Sequence, residues 1–167
     1  MKKSIVLCGF MGCGKTTVGK ELASLCDCQF FDSDLYIEEQ QNMKTAEIFD
    51  IFGEDKFRQL EHEAIAELIE KPPSVISLGG GAIMFERNVK LLKDAVTVFI
   101  DTPFVLIEER LKDDDTRPLA RDKEKLSALY TKRYPFYKSA SQIVLTANKD
   151  PVATAQEILK ILNSEEK

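Results

Sequence analysis

The sequence lacks three features that mark common classes of protein. It has no apolar run close to the roughly 18 residues that a membrane-spanning helix needs. It has no basic excess, because 23 lysines and arginines stand against 28 aspartates and glutamates and give a net charge of −5. It also has no internal repeat and no low-complexity linker. We therefore expect a single globular domain over residues 1–167 that acts on small molecules, with no nucleic-acid and no membrane partner.

Cysteine is scarce, and its four copies lie within the first 28 residues, at Cys8, Cys13, Cys26 and Cys28. Their spacing fits no zinc site, so we interpret them as reduced thiols. The first three residues and the apolar run after them weakly resemble a secretory signal, but glycines and Lys15 interrupt the run. These features favour a cytoplasmic location.

The most informative stretch is Gly9 to Thr16, which reads GFMGCGKT and matches the pattern of a phosphate-binding loop. An apolar run at residues 4–8 suits a buried strand, and apolar residues recur with helical spacing over 18–25. The glycines would let backbone N–H groups close around phosphate oxygens at the start of that helix. Lys15 would neutralise the phosphates and Thr16 would ligate Mg²⁺. The alternative is a glycine-rich turn with an incidental lysine.

Cys13 lies inside this loop, near a helix N-terminus and beside Lys15. Both neighbours favour the thiolate form of cysteine. One hypothesis is that alkylation of Cys13 blocks nucleotide binding. The alternative is a small residue that merely fits the loop.

Two further segments follow short apolar strands. Asp32 and Asp34 end the stretch at 29–31, and Gly79-Gly80-Gly81 ends the stretch at 75–78. Ligands of α/β proteins bind at the carboxyl ends of the strands. An acid near Mg²⁺, an acid near the attacking hydroxyl and a glycine backbone that a ligand can approach would suit phosphoryl transfer. Solvated turns are the plainer interpretation of both segments.

Two arginines are candidate anion-binding groups. Arg58 lies three residues before Glu61 in a mostly helical region at 35–70 that is broken at Gly53, so the glutamate can hold the guanidinium. Arg133 lies on the apolar stripe of a later helix, where it needs a partner. For Arg58 a surface ion pair is the alternative, and for Arg133 the partner is either a structural carboxylate or an anionic substrate.

Residues 112–125 carry ten charges in fourteen positions and cannot form a core. They are either a solvated loop or a lid that closes over the nucleotide and brings Arg117 or Arg121 to the phosphates.

Strand candidates centred near residues 6, 30, 77, 98 and 144 alternate with helical segments. This order predicts a three-layer α/β/α fold with a five-stranded parallel sheet. Two motifs of a GTPase are matched poorly. The stretch at 50–53 reads DIFG but has a helical pattern, and the stretch at 148–151 misses the guanine-binding motif by one position.

The ordered set of motifs closely resembles the shikimate kinase family over nearly the whole chain. The segments that carry the resemblance are Gly9 to Thr17, Asp32 with Asp34, Phe57-Arg58 with Glu61, Gly79 to Gly81, Arg117-Pro118-Leu119, and Arg133 with its neighbouring tyrosines. The resemblance implies a P-loop kinase of the nucleoside-monophosphate-kinase type, with a mobile lid over 112–125 and a helical substrate-binding excursion over 33–61. It also implies transfer of the γ-phosphoryl group of ATP to the 3-hydroxyl of shikimate, in aromatic amino-acid biosynthesis.

The resemblance further implies a set of site residues and one Mg²⁺ ion that accompanies ATP. ATP would contact Gly12, Cys13, Gly14, Lys15, Thr16, Thr17, Arg110 and Arg117. Shikimate would contact Asp34, Arg58, Gly80, Gly81 and Arg133. Catalysis would depend on Lys15, Asp34 and Arg117, while the metal would contact Thr16 directly and Asp32 through water.

Three expectations concern what lies beyond the site. No exposed apolar stripe is left over, so we expect a monomer. The nearest rival activity is phosphorylation of another hydroxy acid, such as gluconate. A rival of another class is a nucleotide-binding module without catalysis.

Overall fold

A computed structural model describes residues 2–112, 122–147 and 150–165 of the chain. Within these ranges the strands are β1 (Ile5–Cys8), β2 (Phe30–Asp32), β3 (Val75–Ser77), β4 (Val96–Asp101) and β5 (Ile143–Thr146). The helices are α1 (Lys15–Leu25), α2 (Ser33–Gln41), α3 (Thr45–Glu70), α4 (Glu86–Leu91), α5 (Phe104–Leu111), α6 (Lys123–Ala140) and α7 (Pro151–Glu165). A short 3₁₀ turn spans Ala82–Met84.

The five strands form one parallel sheet in the order β2-β3-β1-β4-β5. β1 is central, and its Ile5 pairs with Val75 of β3 on one side and with Val96 of β4 on the other. All four residues of β1 are buried, as expected for a parallel strand that is covered on both faces. Helices lie on both faces of the sheet, which confirms the predicted three-layer architecture.

α2 and α3 form the helical excursion between β2 and β3. They bury a small apolar cluster of their own, made of Ile37, Ile48, Phe57, Leu60 and Ala64. Within α3, Gly53 adopts φ 79° and ψ 175°, which splits the helix into two segments as the sequence predicted. The DIFG stretch at 50–53 therefore lies in a helix and is no GTPase motif.

The predicted lid over 112–125 lies largely outside the described residues, and Arg117 and Arg121 lie outside them with it. On its C-terminal side the prediction was too long, because α6 already begins at Lys123. Asp122 caps that helix by accepting a hydrogen bond from the Lys125 N–H at 3.1 Å. Among the described residues, no helix is long and apolar enough to cross a membrane.

Candidate active site

The phosphate-binding loop connects β1 to α1. Its glycines Gly9, Gly12 and Gly14 have φ values of 146°, 75° and 101°, which side-chain-bearing residues rarely adopt. A β-carbon at Gly9 would also lie 2.9 Å from the carbonyl oxygen of Ile100 in β4. The backbone therefore turns sharply at the carboxyl edge of the sheet, and Gly14 forms the N-cap of α1. Free N–H groups at a helix start are a general anion site.

Lys15 folds back over this loop. Its ammonium group donates to the carbonyl oxygens of Gly9 at 2.9 Å and Phe10 at 3.1 Å. Thr17 is exposed on the first turn of α1, next to Thr16. The carbonyl of Gly12 accepts a hydrogen bond at 3.1 Å from Arg110, which comes from the last turn of α5. The cationic groups predicted to bind ATP therefore surround one loop, apart from Arg117, which lies outside the described residues.

Cys13 differs from what the alkylation hypothesis requires. Its side chain is 1% exposed, and its thiol lies 3.7 Å from the ammonium group of Lys15. Its carbonyl oxygen accepts a hydrogen bond at 3.0 Å from the buried Thr102 hydroxyl. This burial favours the alternative that Cys13 is a small residue that fits the loop. Cys8 is similarly buried, and burial raises the pKa of its thiol to about 12.

Thr16 and Asp32 lie together at the edge of the sheet. The Thr16 hydroxyl donates to Asp32 Oδ2 at 2.9 Å, while Asp32 Oδ1 accepts the Asp34 N–H at 3.1 Å and so caps α2. A hydroxyl and a carboxylate are hard oxygen donors of the kind that Mg²⁺ prefers. The described residues contain no group of three or more His, Cys, Asp or Glu side chains that could hold a metal. The Thr16 hydroxyl and the Asp32 carboxylate thus fit Mg²⁺ by the kind of donor atom that they supply.

The three glycines after β3 are in contact with the predicted acceptor-binding residues. A side chain at Gly79 would overlap the Asp34 carboxylate. A β-carbon at Gly80 would lie 3.4 Å from Arg133 Nη1 and 3.8 Å from the carbonyl oxygen of Gly9 in the phosphate loop. A β-carbon at Gly81 would lie 2.8 Å from two nitrogens of Arg58. Side chains from α2, α3 and α6 thus converge on this backbone, and at Gly79 and Gly81 they leave no room for a β-carbon unless they move.

Arg58 is held firmly before any ligand arrives. Its Nη1 donates to both carboxylate oxygens of Glu61 at 3.1 Å, and its Nη2 donates to Glu54 at 3.2 Å. The guanidinium also lies over the rings of Phe57 and Phe85, at 5.4 and 5.3 Å from their centroids. Arg58 is therefore more than an exposed surface ion pair, since its side chain is 13% exposed and that of Glu61 is fully buried.

Burial has a measurable consequence for Glu61. It raises the pKa of the Glu61 carboxyl to about 7, although the Arg58 guanidinium acts in the opposite direction. The Asp34 carboxylate contributes to the rise and Arg133 opposes it, so these four groups share one electrostatic environment.

Arg133 has a different setting. It is half-buried on α6, and within the described residues no carboxylate lies within ion-pair distance of it. The sequence left open whether its partner is a structural carboxylate or an anionic substrate. The Arg133 guanidinium lies beside Gly80, where a ligand can approach the backbone closely, and this position favours the substrate.

Three buried hydrogen-bonding side chains of the site were not predicted from the sequence. Ser33, Asn88 and Tyr137 each bond to the backbone of residues 79–82. Ser33 lies between the two predicted aspartates, and Tyr137 is one of the tyrosines near Arg133. No local pattern marks Asn88, because its contact with Ala82 depends on how α4 folds back.

Comparison with known proteins identifies the family. The family model described as "SKI: Shikimate kinase" matches residues 11–163. A shikimate kinase of Caldicellulosiruptor bescii is 41% identical over 163 residues, which cover 95% of each chain. A solved structure of shikimate kinase from Acinetobacter baumannii in complex with shikimate is 34% identical, covers 98% of this chain and 94% of its own, and has a TM-score of 0.92.

The fold itself extends to other kinases. A gluconokinase from Sinorhizobium meliloti is similar in structure, with a TM-score of 0.59 over 99% of this chain and 98% of its own, but is only 15% identical. That similarity concerns the fold alone, whereas the family model and the closer relatives agree in sequence over almost the full length. The chain therefore belongs to the shikimate kinase family.

Proposed function

We propose that this member of the shikimate kinase family, an enzyme that transfers the γ-phosphoryl group of ATP to the 3-hydroxyl of shikimate, binds its two substrates on either side of Gly80. The products are shikimate 3-phosphate and ADP, in the pathway to chorismate and the aromatic amino acids. The observation that carries this assignment is the position of Gly80, between the Arg133 guanidinium and the phosphate-loop carbonyl of Gly9. A ligand at this backbone lies next to the phosphates.

The carboxylate of shikimate would bind between Arg58 and Arg133. Arg58 is fixed by Glu61 and Glu54, so little side-chain freedom remains to be lost on binding. Arg133 has no carboxylate of the described chain at ion-pair distance, so the ligand carboxylate would be its counterion. The N–H groups of Gly80 and Gly81, which bond to no other group of the described chain, would donate to the same ligand.

Asp34 would bind the hydroxyl that attacks phosphorus. It lies in the first turn of α2 and against Gly79, on the substrate side of the glycine segment. A carboxylate can accept the hydroxyl proton as the bond to phosphorus forms, or orient the hydroxyl for attack.

The triphosphate would occupy the loop between β1 and α1. The N–H groups from Gly12 to Thr17 would surround its oxygens, and Lys15 would leave the carbonyls of Gly9 and Phe10 to neutralise the β- and γ-phosphates. Arg110 would cover adenine, and Arg117 of the lid would contact the transferring group. We propose that these groups act by positioning and by charge neutralisation, which supply most of the acceleration in phosphoryl transfer.

One Mg²⁺ ion would be held by Thr16 directly and by Asp32 through water. When bound, it offsets negative charge on the β- and γ-phosphates. The hydrogen bond between Thr16 and Asp32 supports this role, because it places the two oxygen donors at the phosphate loop already.

The remaining proposals concern the protein as a whole. We propose a single-domain monomer that works in the cytoplasm, where its co-substrate ATP is made. Large exposed apolar side chains such as Leu25, Val105 and Val152 are scattered over separate helices, which supports the monomer. Nucleic acid is excluded from the proposal by the net charge of −5.

The test is ADP release from Mg·ATP with four acceptor conditions: shikimate, gluconate, a nucleoside monophosphate, or none. Of the four conditions, we expect ADP release above background only in the one that contains shikimate. Release with gluconate at a similar rate would contradict the assignment of the acceptor. Binding of ATP without release under any condition would instead favour the noncatalytic nucleotide-binding module.

A further inference from the structure

The segment Gly79–Ala82 is bonded by side chains from three separate helices. Ser33 of α2 accepts the Gly79 N–H at 2.9 Å. Tyr137 of α6 donates its hydroxyl to the Gly80 carbonyl at 2.5 Å. Asn88 of α4 donates to the Ala82 carbonyl at 2.9 Å. Three backbone groups of this segment are therefore held by side chains from outside it.

All three side chains are buried. Ser33 and Asn88 are fully inaccessible and Tyr137 is 1% exposed. Burial raises the pKa of the Tyr137 phenol, so its hydroxyl remains a proton donor over the physiological range. A buried hydrogen bond of this kind is costly to break, since the group left behind loses a partner in a place that water does not reach. The glycine segment is therefore held rigidly although its residues are intrinsically flexible.

The hydrogen bond from Tyr137 has a direct effect on the next N–H group. The described chain contains no cis peptide bond, so the Gly80 carbonyl and the Gly81 N–H point in opposite directions from one planar unit. Fixing the carbonyl toward the Tyr137 hydroxyl turns the Gly81 N–H away from that hydroxyl. Neither the Gly80 nor the Gly81 N–H is bonded to another group of the described chain.

Tyr137 also links this peptide unit to Arg133. The two residues are four positions apart on α6 and thus lie on the same side of the helix, and Arg133 faces Gly80. The tyrosine ring stacks on Phe99 of the sheet, with 5.3 Å between centroids. One helical turn therefore carries both the guanidinium that faces Gly80 and the hydroxyl that holds the Gly80 carbonyl.

We propose that Tyr137 is a positioning residue for the acceptor substrate: its hydroxyl holds the Gly80–Gly81 peptide so that the Gly81 N–H and the Arg133 guanidinium bind one ligand together. Ser33 and Asn88 support the same segment at its two ends. This inference rests on the proposed function, because it assigns the ligand at this backbone to shikimate.

Tyr134 offers a matched control. It lies on the same helix, and its ring packs edge-on against the same Phe99 at 5.5 Å. Its hydroxyl, however, donates to Asp101 Oδ2 at 2.8 Å and does not touch the glycine segment. Tyr134→Phe therefore removes a tyrosine hydroxyl of the same helix without affecting the Gly80–Gly81 peptide.

The experiment measures steady-state kinetics of Tyr137→Phe and Tyr134→Phe, with shikimate and ATP varied separately. For Y137F we expect the KM for shikimate to rise about fivefold to tenfold, as for the loss of one buried hydrogen bond. The KM for ATP and kcat should stay within about twofold to threefold. Y134F should leave the KM for shikimate within about twofold.

Three results would overturn the inference. The first is an unchanged KM for shikimate in Y137F. The second is a rise in the KM for shikimate in Y134F as large as that in Y137F. The third is a fall in kcat together with a rise in both KM values in Y137F, which would indicate a general structural defect. Failure of the proposed function is recognised separately, because the wild-type protein itself would then show no shikimate-dependent ADP release.

A second measurement needs no variant. We expect backbone ¹⁵N order parameters of Gly80 and Gly81 in the wild-type protein without shikimate to be near those of rigid backbone, about 0.85. Values below about 0.6 would mean that the hydrogen bond does not hold the peptide before the substrate binds, and would overturn the proposal.

Discussion

The nucleotide end and the acceptor end of this active site are built in different ways. The phosphate loop is one continuous stretch, and the groups that we propose to bind ATP are mostly backbone N–H groups at the start of α1. The acceptor end is assembled from α2, α3, the turn after β3 and α6, which meet at Gly79–Gly81. A backbone site can be encoded locally, whereas a site of convergent side chains depends on the whole fold.

The two ends also differ in how their cations are held. Lys15 bonds to backbone carbonyls that it can leave when phosphate arrives. Arg58 is bonded to the buried Glu61 and is already in place. We therefore expect variants at the nucleotide end to reduce the rate of phosphoryl transfer, and variants at the acceptor end to weaken shikimate binding.

The largest expected effect is that of Lys15→Met. It should lower kcat by roughly 10³-fold or more, because the developing charge on the phosphates loses its neutralising group. A coupled assay of ADP release at saturating shikimate and ATP would measure kcat. Lys20→Met is the matched control, since Lys20 is exposed on the same helix, and should keep kcat within about twofold of wild type. A similar loss in both variants would remove the special role of Lys15.

Arg133→Ala and Arg58→Ala should raise the KM for shikimate about tenfold to 150-fold, which corresponds to about 1.5 to 3 kcal/mol for a charged hydrogen bond. The KM for ATP should change much less. The neighbouring exposed Lys132→Ala serves as the control on α6. An unchanged KM for shikimate in R133A would return Arg133 to a structural role.

These two arginine variants should differ in stability. R58A leaves the buried Glu61 without its cation, and we expect it to lower the free energy of unfolding by about 3 kcal/mol. R133A breaks no ion pair with the described chain, so it should lower the free energy of unfolding much less. Urea unfolding of both proteins at pH 8 measures the difference, and equal losses would contradict this account of Arg58.

Glu61 predicts a pH dependence of stability. Its folded-state pKa of about 7 lies above its ordinary value of 4.5, so the folded protein retains a proton that the unfolded chain loses. The retained proton on Glu61 therefore stabilises the folded protein. This stabilisation is complete below about pH 4.5 and is lost as the pH rises through about 7. The unfolding free energy of wild type relative to Glu61→Gln should therefore fall by about 1 to 3 kcal/mol between pH 5 and pH 8.

The matched control for this pH experiment is Glu54→Gln. Glu54 also bonds to Arg58, but its side chain is 66% exposed. The free energy of unfolding of E54Q should differ less from that of wild type, and this difference should not change with pH as it does for E61Q. A wild-type minus E61Q difference that is constant between pH 5 and pH 8 would show that the Glu61 carboxyl is ionised throughout.

The smallest expected effect concerns Cys13. Because its side chain is 1% exposed, we expect iodoacetamide to modify the partly exposed Cys26 and Cys28 of the folded protein well before Cys13. Peptide mass spectrometry of the native protein measures the order in which the cysteines are modified, with protein labelled in urea as the control. Rapid native labelling of Cys13 would restore the hypothesis that this thiol can block the nucleotide site.

The fold and the nucleotide end follow from local patterns in the sequence. The loop at Gly9 to Thr16, the apolar strands and the break at Gly53 each depend on residues that are neighbours in the chain. The order β2-β3-β1-β4-β5 was not predicted, because the pairing of distant strands leaves no mark in any one segment.

The acceptor end was predicted only in part without the family resemblance. Arg58 and Glu61 are helical neighbours, so their ion pair could be predicted from spacing. The bond from Tyr137 to Gly80 could not be predicted in this way, since it joins residues 57 positions apart. The long-range contacts that position a ligand require the assembled structure.

The most direct test of the comparison is shikimate binding measured by isothermal titration calorimetry on wild type, Lys15→Met and Arg133→Ala. If the two ends are built separately, K15M keeps a Kd for shikimate within about threefold of wild type, while R133A weakens it about tenfold or more. A loss in K15M as large as that in R133A would contradict the account, because the acceptor site would then depend on the phosphate loop.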